Sequence, residues 1–401
     1  MSKKFYELTP DERLLALNLK EDIRLSFSSR QSPVNAQMVE NYISDFRMPM
    51  GVVHDILIDE QHFRVPMAIE EPSVIAAANN GAKMLSNGVH VIMADTAMIG
   101  QMLLVDAAGV DEFINLHRDE IFAKAKQAKP SIYKRGGGLR DVRVRNISKT
   151  ETSVDFIIDT KDAMGANIVN TILEAELPLF EKFIPLGVIL SNYATNQLVT
   201  VTGDVDFERI GGREVAQKIV ALNHFSKNDP YRATTENKGL FNGISAVVLA
   251  TGNDWRAVEA SGHAYASRDG QYRGLVTWTI LNGKLHGELT LPISVGTVGG
   301  AISAMPDAKQ ALSIIGDVNA DTLRGVILSV GLAQNLAALK SIASGGIQRG
   351  HMRMQYRALA MQVGAKTDEI AAVVSRLISL SHVDASVAKK ILMEIRNEPK
   401  N

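Results

Sequence analysis

Residues 229–260 read DPYRATTENKGLFNGISAVVLATGNDWRAVEA and carry a dense set of charged and amide side chains. The apolar run at residues 244–250 has the length of a short buried strand, and we predict one there. Lys238 and Asp254 stand on either side of this run, on connections that contain glycine. If these connections fold back over one cleft, the lysine and the aspartate form a site for a developing negative charge. The alternative is that they are surface groups on unrelated loops.

The composition is typical of a soluble globular protein. The 401 residues are 46% hydrophobic and 22% charged, and they allow two or three domains. With 43 basic and 44 acidic residues the formal net charge is −1, so we expect neither a nucleic-acid nor a membrane partner. The absence of cysteine excludes disulfides and a cysteine nucleophile. No signal-peptide core and no uninterrupted apolar run of roughly 18 residues is present, so we expect a cytoplasmic protein.

Local signals predict the elements of the first hundred residues. Residues 9–12 form a capping box with proline at the first helical position, and a second helix is expected near Ser32. Residues 51–59 and 63–67 predict a hairpin. Residues 70–73, Glu-Glu-Pro-Ser, then begin a helix rich in small residues. Their carboxylates are either partners of the helix dipole or part of a site.

The elements predicted between about residues 100 and 195 follow the order β-α-β-β-α-β, which is the ferredoxin-like arrangement. The sequence DAMGAN, residues 162–167, lies at the start of the second helix of this unit. Backbone donors there could receive a phosphate, although the glycine could instead serve helix packing. A G-x-G-x-x-G fingerprint is absent. We predict strands at residues 102–105, 140–145, 153–159 and 186–190, and helices at 110–128 and 162–177.

The last part of the chain predicts paired strands at residues 275–281 and 287–291 and a buried helix at residues 321–342. Polar groups of that helix, such as Gln334, need partners, which are either structural or a ligand. Ser344, Gly345 and Gly346 end the helix, and three more helices are expected to start near residues 351, 367 and 384. This terminal unit is either a movable lid or a docked bundle. None of the nine histidines stands at a metal-ligand spacing, so we expect no metal.

Five segments together resemble one family, the soluble bacterial (class II) 3-hydroxy-3-methylglutaryl-coenzyme A reductases. They are VPMAIEEPSVIAA (65–77), DAMGANIVN (162–170), YRATTENKG (231–239), ATGNDWRAVEA (250–260) and GGIQRGHM (345–352). The resemblance implies a multidomain α/β and α+β fold. Residues 1–105 and 196–343 would form a large mixed α/β catalytic domain, residues 106–195 an inserted ferredoxin-like dinucleotide-binding domain, and residues 344–401 a helical flap. It also implies a homodimer with active sites at the subunit interface, with a higher assembly of dimers as a further option.

The resemblance also assigns residues to roles. Glu71, Lys238, Asp254 and His351 match the catalytic glutamate, lysine, aspartate and flap histidine. The matches to substrate-binding positions are Ser73, Arg232, Asn242 and Gln334. The matches to the cofactor-binding motif are Asp162, Met164, Gly165 and Asn167, with Asn192 as a neighbour. Gln355 stands where a second flap histidine is expected, so no role is assigned to it.

The implied reaction is the reduction of (S)-3-hydroxy-3-methylglutaryl-coenzyme A to (R)-mevalonate and coenzyme A, or its reverse, in the mevalonate pathway. It consumes two NADPH or NADH and proceeds through mevaldyl-coenzyme A and mevaldehyde. Lys238 would stabilise the oxyanion, and Asp254 would keep the lysine charged. His351 would protonate the departing thiolate, and Glu71 would donate a proton in the second reduction. Arg232 would pair with the terminal carboxylate of the substrate.

Two other functions are alternatives to this one. A coenzyme A-dependent aldehyde dehydrogenase generally needs a cysteine nucleophile, which the chain lacks. A non-catalytic scaffold or coenzyme A-ligand-binding relative of the same fold needs no proton donors, yet all four catalytic positions are filled. The choice between NADH and NADPH stays open, because residues 117–120 offer both basic and acidic groups for the ribose.

Overall fold

The computed structural model describes residues 3–94, 96–344, 348–380 and 382–397, and it confirms a mixed α/β fold with two sheets. The strands in these ranges are β1 (Met50–Ile58), β2 (Gln61–Ala68), β3 (Val89–Met93), β4 (Met98–Val105), β5 (Gly138–Asn146), β6 (Glu151–Asp159), β7 (Gly187–Ser191), β8 (Leu198–Val205), β9 (Val276–Leu281) and β10 (Lys284–Pro292). The α-helices are α1 (Pro10–Ala16), α2 (Glu21–Ser28), α3 (Pro33–Met38), α4 (Pro72–Met84), α5 (Val110–Leu116), α6 (Arg118–Ala128), α7 (Pro130–Lys134), α8 (Ala166–Glu176), α9 (Phe207–Ile210), α10 (Arg213–Asn228), α11 (Pro230–Ala250), α12 (Trp255–Ala266), α13 (Pro306–Ile315), α14 (Ala320–Ala343), α15 (Gln348–Gln362), α16 (Ile370–Leu377) and α17 (Ala385–Asn397).

The larger sheet has six strands in the order β2-β1-β3-β8-β10-β9. β1 and β2 form the predicted hairpin, and its turn residues Asp59 and Glu60 both have positive φ, as a tight type I′ turn requires. β9 and β10 pair antiparallel, which was also predicted. Helices α4, α11 and α14 contact strands of this sheet and share its apolar core. The two helices that carry the predicted catalytic glutamate and lysine are therefore fixed on one sheet.

The smaller sheet has four antiparallel strands in the order β5-β6-β4-β7. Its elements follow the chain order predicted for this region, with α5 and α6 after β4 and with α8 between β6 and β7. Alternation along β4 places Met98, Met102 and Leu104 in a core that α8 completes. One detail differs, because the helix predicted at residues 110–128 is interrupted at His117, where the backbone leaves the helical region.

The prediction of a strand at residues 244–250 is wrong. These residues form the last third of α11, a 21-residue helix, and five of the seven are buried. A helix that contacts α10, α14 and β2 is apolar on several faces, so its hydrophobic run lacks the period that separates a helix from a strand. Gly243 also lies inside the helix. A side chain at this position would lie 2.8 Å from Cβ of Gln334, so the glycine permits close packing with α14.

Helix α14 is the buried helix predicted at residues 321–342, and it spans 24 residues. It is the one helix of the described ranges whose length and composition would allow it to cross a membrane. In this structure 78% of its most apolar 18-residue window is buried against the rest of the chain. Its apolar character is thus that of a helix buried in the core.

The two ends of the chain are helical. α1 starts at the predicted capping box, in which Thr9 Oγ1 accepts the N–H of Glu12 at 3.2 Å and the Thr9 N–H donates to Glu12 Oε2 at 2.7 Å. α3 is the second predicted helix, whereas α2 was not predicted. α15, α16 and α17 are the three predicted C-terminal helices and share an apolar core of their own. The break predicted at Gly345 and Gly346 lies outside the described residues.

Candidate active site

Glu71 and Lys238 form the centre of the first group of candidate residues. Glu71 occupies the position before α4, with Pro72 as the first helical residue. Ser73 Oγ donates to Glu71 Oε1 at 2.6 Å, and Lys238 Nζ donates to Glu71 Oε2 at 3.3 Å. The Lys238 side chain is 66% exposed and that of Glu71 34% exposed, so a ligand can reach both. The structure therefore brings together three of the predicted residues from α4 and α11.

Asn242 and Gln334 extend this group. Asn242 is half-buried one turn after Lys238, on the same face of α11. Gln334 is only 4% exposed, and its Oε1 has no hydrogen-bond partner among the described residues. Buried amide oxygens are seldom left unpaired in a native protein, so this oxygen is suited to accept a hydrogen bond from a ligand.

Arg232 lies in the first turn of α11 and is held by a residue that the sequence did not single out. Its Nη2 donates to Glu236 Oε2 at 3.1 Å, and Asn223 Nδ2 donates to Glu236 Oε1 at 2.9 Å. Burial raises the pKa of Glu236, and Arg232 opposes that rise. The pairing depends on helical i,i+4 spacing, so it becomes visible only once this segment is known to be a helix.

Asp254 caps the next helix, α12. Its Oδ1 accepts the N–H groups of Arg256 and Ala257 at 3.0 and 3.2 Å. The Arg256 guanidinium adds two bonds, from Nε to Oδ1 at 3.1 Å and from Nη2 to Oδ2 at 3.0 Å. Burial acts to raise the pKa of Asp254, but the bonds from Arg256 and Ala257 outweigh it and leave this pKa below its ordinary value. The carboxylate is ionised at neutral pH.

We predicted that Lys238 and Asp254 meet in one site, but a single chain does not bring them together. Lys238 pairs with Glu71, and Asp254 pairs with Arg256. The reason is the helical conformation of α11. At a rise of about 1.5 Å per residue, the part of α11 from Lys238 to Ala250 extends about 18 Å. We had expected a short strand whose flanking loops fold back over one cleft. The structure has a rigid helix there instead, and this helix holds the two residues apart.

Asp254 instead lines a cavity of about 900 Å³. Residues 163–168 and 252–256 form two of its sides, so the DAMGAN segment and the Asp254 turn face the same space. Its size lies within the range of sites for small molecules and cofactors. Three basic residues also line it, namely Lys129, Arg135 and Arg256. Lys129 and Arg135 flank the short helix α7 and were missed, because no local motif marks them.

The DAMGAN segment forms a tight turn before α8. Gly165 has φ of 102°, and a side chain there would overlap with Thr160, so glycine is required. Met164, Gly165 and Asn167 line the cavity. Asp162 does not line it. Its Oδ1 accepts the N–H of Ala320, the first residue of α14, at 3.0 Å.

Asn192 is exposed just after β7 and does not line the cavity. His351 belongs to α15, but its side chain is outside the described part of the structure.

A mixed α/β fold with a carboxylate–lysine–serine group and a cavity of this size beside a helix N-terminus is typical of a cofactor-dependent enzyme. A family model for hydroxymethylglutaryl-coenzyme A reductase matches residues 10–356. The 3-hydroxy-3-methylglutaryl-coenzyme A reductase of Archaeoglobus fulgidus is 39% identical over 98% of this chain and 94% of its own length. A solved structure of the Streptococcus pneumoniae reductase is 41% identical, with a TM-score of 0.77, and the match covers 98% of this chain and 99% of that one.

A second solved structure from Streptococcus pneumoniae is a class II reductase bound to NADPH in open conformations. It is also 41% identical, with a TM-score of 0.76, over 96% of this chain and 99% of that one. The chain belongs to the hydroxymethylglutaryl-coenzyme A reductase family. It is an oxidoreductase, and the resemblance deduced from its sequence is confirmed.

Proposed function

We propose that the protein catalyses the reduction of 3-hydroxy-3-methylglutaryl-coenzyme A to mevalonate and coenzyme A, or the reverse, with two nicotinamide cofactors per turnover. The observation that carries this proposal is the contact between Glu71, Ser73 and Lys238, because it joins a carboxyl group suited to proton donation with an ammonium group suited to stabilise an oxyanion. The test is to add 3-hydroxy-3-methylglutaryl-coenzyme A to the pure protein with NADPH or NADH and follow the absorbance of the reduced cofactor. Substrate-dependent oxidation supports the proposal, and its absence with both cofactors refutes it.

The first group of residues is suited to the acyl end of the substrate. The Lys238 ammonium stabilises negative charge on the carbonyl oxygen, because a fixed charge needs no reorganisation when the oxyanion forms. Glu71 holds the lysine in place and donates a proton to the aldehyde oxygen in the second reduction. Arg232 binds the terminal carboxylate through the guanidinium nitrogens that Glu236 leaves free, and Gln334 offers its unpaired oxygen to the 3-hydroxyl group.

The residues around the cavity fit a dinucleotide. The turn formed by Met164, Gly165 and Asn167 permits close approach of a phosphate to the backbone at the start of α8. When bound, the nicotinamide supplies the hydride, and the protein supplies its position. Lys129 and Arg135 are the residue types that recognise a 2′-phosphate, so we propose NADPH as the preferred cofactor. The class II relative with NADPH bound supports that preference. Asp162 has a supporting role, because it fixes the turn to α14.

The active protein is a homodimer in which each copy completes the site of the other. About 18 Å of helix separates Lys238 from the end of α11, where Asp254 follows, so one copy cannot supply both to one substrate. A second copy related by a twofold axis can present its Asp254 and its cofactor to the first copy's Glu71 and Lys238. Tyr231 supports such an interface, because this large aromatic side chain next to Arg232 is 87% exposed in the single chain.

The domain division that we propose takes residues 1–105 and 196–343 as the large domain and residues 106–195 as the ferredoxin-like dinucleotide-binding domain. Strand β4 (Met98–Val105) pairs in the smaller sheet, so the first boundary falls before this strand. Residues 344–401 form the flap, and the separate core of α15–α17, which includes Val373 and Leu377, supports its movement as one body. The flap brings His351 to the thiolate of departing coenzyme A, and the whole protein works in the cytoplasm.

A further inference from the structure

Asn253 is an amide side chain that none of the steps above uses, and it holds a backbone segment from another part of the chain. Its Oδ1 accepts the N–H of Gly296 at 2.8 Å, and its Nδ2 donates to the carbonyl oxygen of Gly296 at 3.1 Å. Nδ2 also contacts Thr251 Oγ1 at 3.2 Å. One planar amide thus pairs with both polar groups of a single residue, which fixes its orientation as well as its distance.

Gly296 in turn lies directly against the cofactor-binding turn. A side chain at this position would lie 2.5 Å from the backbone nitrogen of Met164 and 2.7 Å from the carbonyl oxygen of Asp162, so the two backbones touch. The next residue, Thr297, donates its N–H to the same Asp162 oxygen at 2.8 Å. Residues 163 and 298 pair as an isolated parallel bridge. The segment from 296 to 298 is therefore the support on which the turn rests.

We infer that Asn253 is a positioning residue that fixes the distance between Asp254 and the dinucleotide. Asp254 is its neighbour in the chain and lines the same cavity as Met164. Asp254 is bonded to Asn253, Asn253 binds Gly296, and Gly296 contacts the turn at residues 162–164. Asp254 and the cofactor therefore move as one body towards the partner's Glu71 and Lys238. This inference rests on the proposed function, because it takes the cavity to be the NADPH site.

We call the two hydrogen bonds between Asn253 and Gly296 a clamp. Such a clamp matters because the rate of hydride transfer is sensitive to geometry. A displacement of about 1 Å between reacting groups can cost on the order of a hundredfold in rate. A loop attached only through the start of α12 would allow such displacements. Two hydrogen bonds to one residue of the supporting segment restrict them, and that segment is itself tied to the turn that holds the cofactor.

The test compares Asn253→Ala and Asn253→Asp with a matched control, Asn79→Ala. Asn79 makes the same kind of clamp away from the cavity, with Oδ1 accepting the His54 N–H at 3.0 Å and Nδ2 donating to the Val52 oxygen at 2.9 Å. Asn253→Asp keeps the size and the acceptor but replaces the donor with an oxygen that repels the Gly296 carbonyl. Asn253→Asp therefore still tests the inference if Asn253→Ala does not fold. Three quantities are measured for each protein: the NADPH Kd from the fluorescence of Trp255, which lines the cavity, the deuterium isotope effect on kcat, and Tm.

We expect both Asn253 variants to weaken NADPH binding about tenfold, which is about 1.4 kcal/mol. We also expect a kcat lower by about a hundredfold and a larger isotope effect with deuterated cofactor, because a misplaced hydride donor makes hydride transfer rate-limiting. The KM for 3-hydroxy-3-methylglutaryl-coenzyme A stays within about twofold. Asn79→Ala lowers Tm without changing the isotope effect.

An isotope effect and an NADPH Kd in the Asn253 variants that match wild type, or that match Asn79→Ala, would overturn the inference. Failure of the proposed function is a separate result, because wild-type protein would then show no substrate-dependent oxidation of either cofactor. The NADPH titration reports on the clamp even in that case.

Discussion

Glu71 and Lys238 are 167 positions apart in the chain, and in the folded protein Oε2 of the glutamate lies 3.3 Å from Nζ of the lysine. The contact joins the first residue before α4 to the middle of α11. Because Ser73 occupies the other oxygen of the carboxylate at 2.6 Å, the glutamate is held between a hydroxyl and an ammonium group. The two side chains that we propose as proton donor and oxyanion partner thus contact each other in the single chain.

Replacement of Lys238 is expected to abolish both reductions. Lys238→Ala should lower kcat by about a hundredfold to a thousandfold with 3-hydroxy-3-methylglutaryl-coenzyme A and with free mevaldehyde, because both pass through a developing oxyanion. The side chain is 66% exposed, so Tm should stay near that of wild type. Steady-state assays with each substrate measure the effect. Normal turnover of mevaldehyde would remove the oxyanion role.

Replacement of His351 should separate the two half-reactions. His351→Gln removes the imidazole that we propose as the proton donor, so the step that releases coenzyme A as a thiolate should become slower. Reduction of added mevaldehyde releases no thiolate and should lose much less activity. The measurement is the ratio of kcat values for the two substrates. Equal losses on both would show that thiolate protonation is not the main task of this histidine.

The two basic residues that flank α7, Lys129 and Arg135, should determine cofactor preference. Arg135→Ala should raise the KM for NADPH about tenfold and leave that for NADH almost unchanged, because a guanidinium pairs with the 2′-phosphate that only NADPH carries. Lys129→Ala should act in the same direction. Lys126→Ala, on the neighbouring helix α6 and outside the cavity lining, is the matched control. Equal changes for the two cofactors would place the 2′-phosphate elsewhere.

Much of the fold could be predicted, because its signals are local. The capping box at Thr9 and the alternation along the β1–β2 hairpin depend on residues a few positions apart. The nature of residues 244–250 could not be predicted, since burial on several faces removes the helical period. The grouping of Lys129 with Arg256, and the pairing of Asn253 with Gly296, depend on tertiary contacts that no spacing in the sequence records.

The candidate catalytic residues were assigned for a different reason. Their motifs are specific only in combination, and the assignment rests on the five segments in family order. Physical reasoning on the Lys238–Asp254 segment alone gave the wrong geometry, because it assumed that neighbours in the sequence meet in one chain.

Glu176 should make stability depend on pH. The side chain is fully buried in α8, both its oxygens lack a hydrogen-bond partner among the described residues, and burial raises its pKa to about 8. Lys124 opposes the rise and Glu120 adds to it. The folded state keeps the proton while the unfolded state, with a pKa of about 4.5, releases it. The free energy of unfolding should therefore fall as pH rises from about 4.5 to about 8.

Glu176→Gln tests this dependence, because the amide fills the same space and cannot ionise. Urea denaturation at pH 5 and pH 8 should show the variant gaining stability relative to wild type at the higher pH, by an amount on the order of 2–4 kcal/mol. The same difference between the two proteins at both pH values would contradict a buried, protonated Glu176.

In the proposed dimer Asp254 of one copy serves Glu71 and Lys238 of the other, and heterodimers test this arrangement. Lys238→Ala and Asp254→Ala are co-expressed on differently tagged chains, and the mixed dimer is isolated through both tags. Each parent homodimer should be inactive. In the mixed dimer one site combines the intact Lys238 of one copy with the intact Asp254 of the other, so about half of the wild-type activity should return.

A reciprocal heterodimer completes the measurement. It pairs wild type with a chain that carries both substitutions, and it should be inactive, because neither site then has an intact lysine facing an intact aspartate. The opposite pattern is an inactive first heterodimer and about half of the wild-type activity in the second. It would show that Lys238 and Asp254 act within one chain, which contradicts a site shared between the two copies.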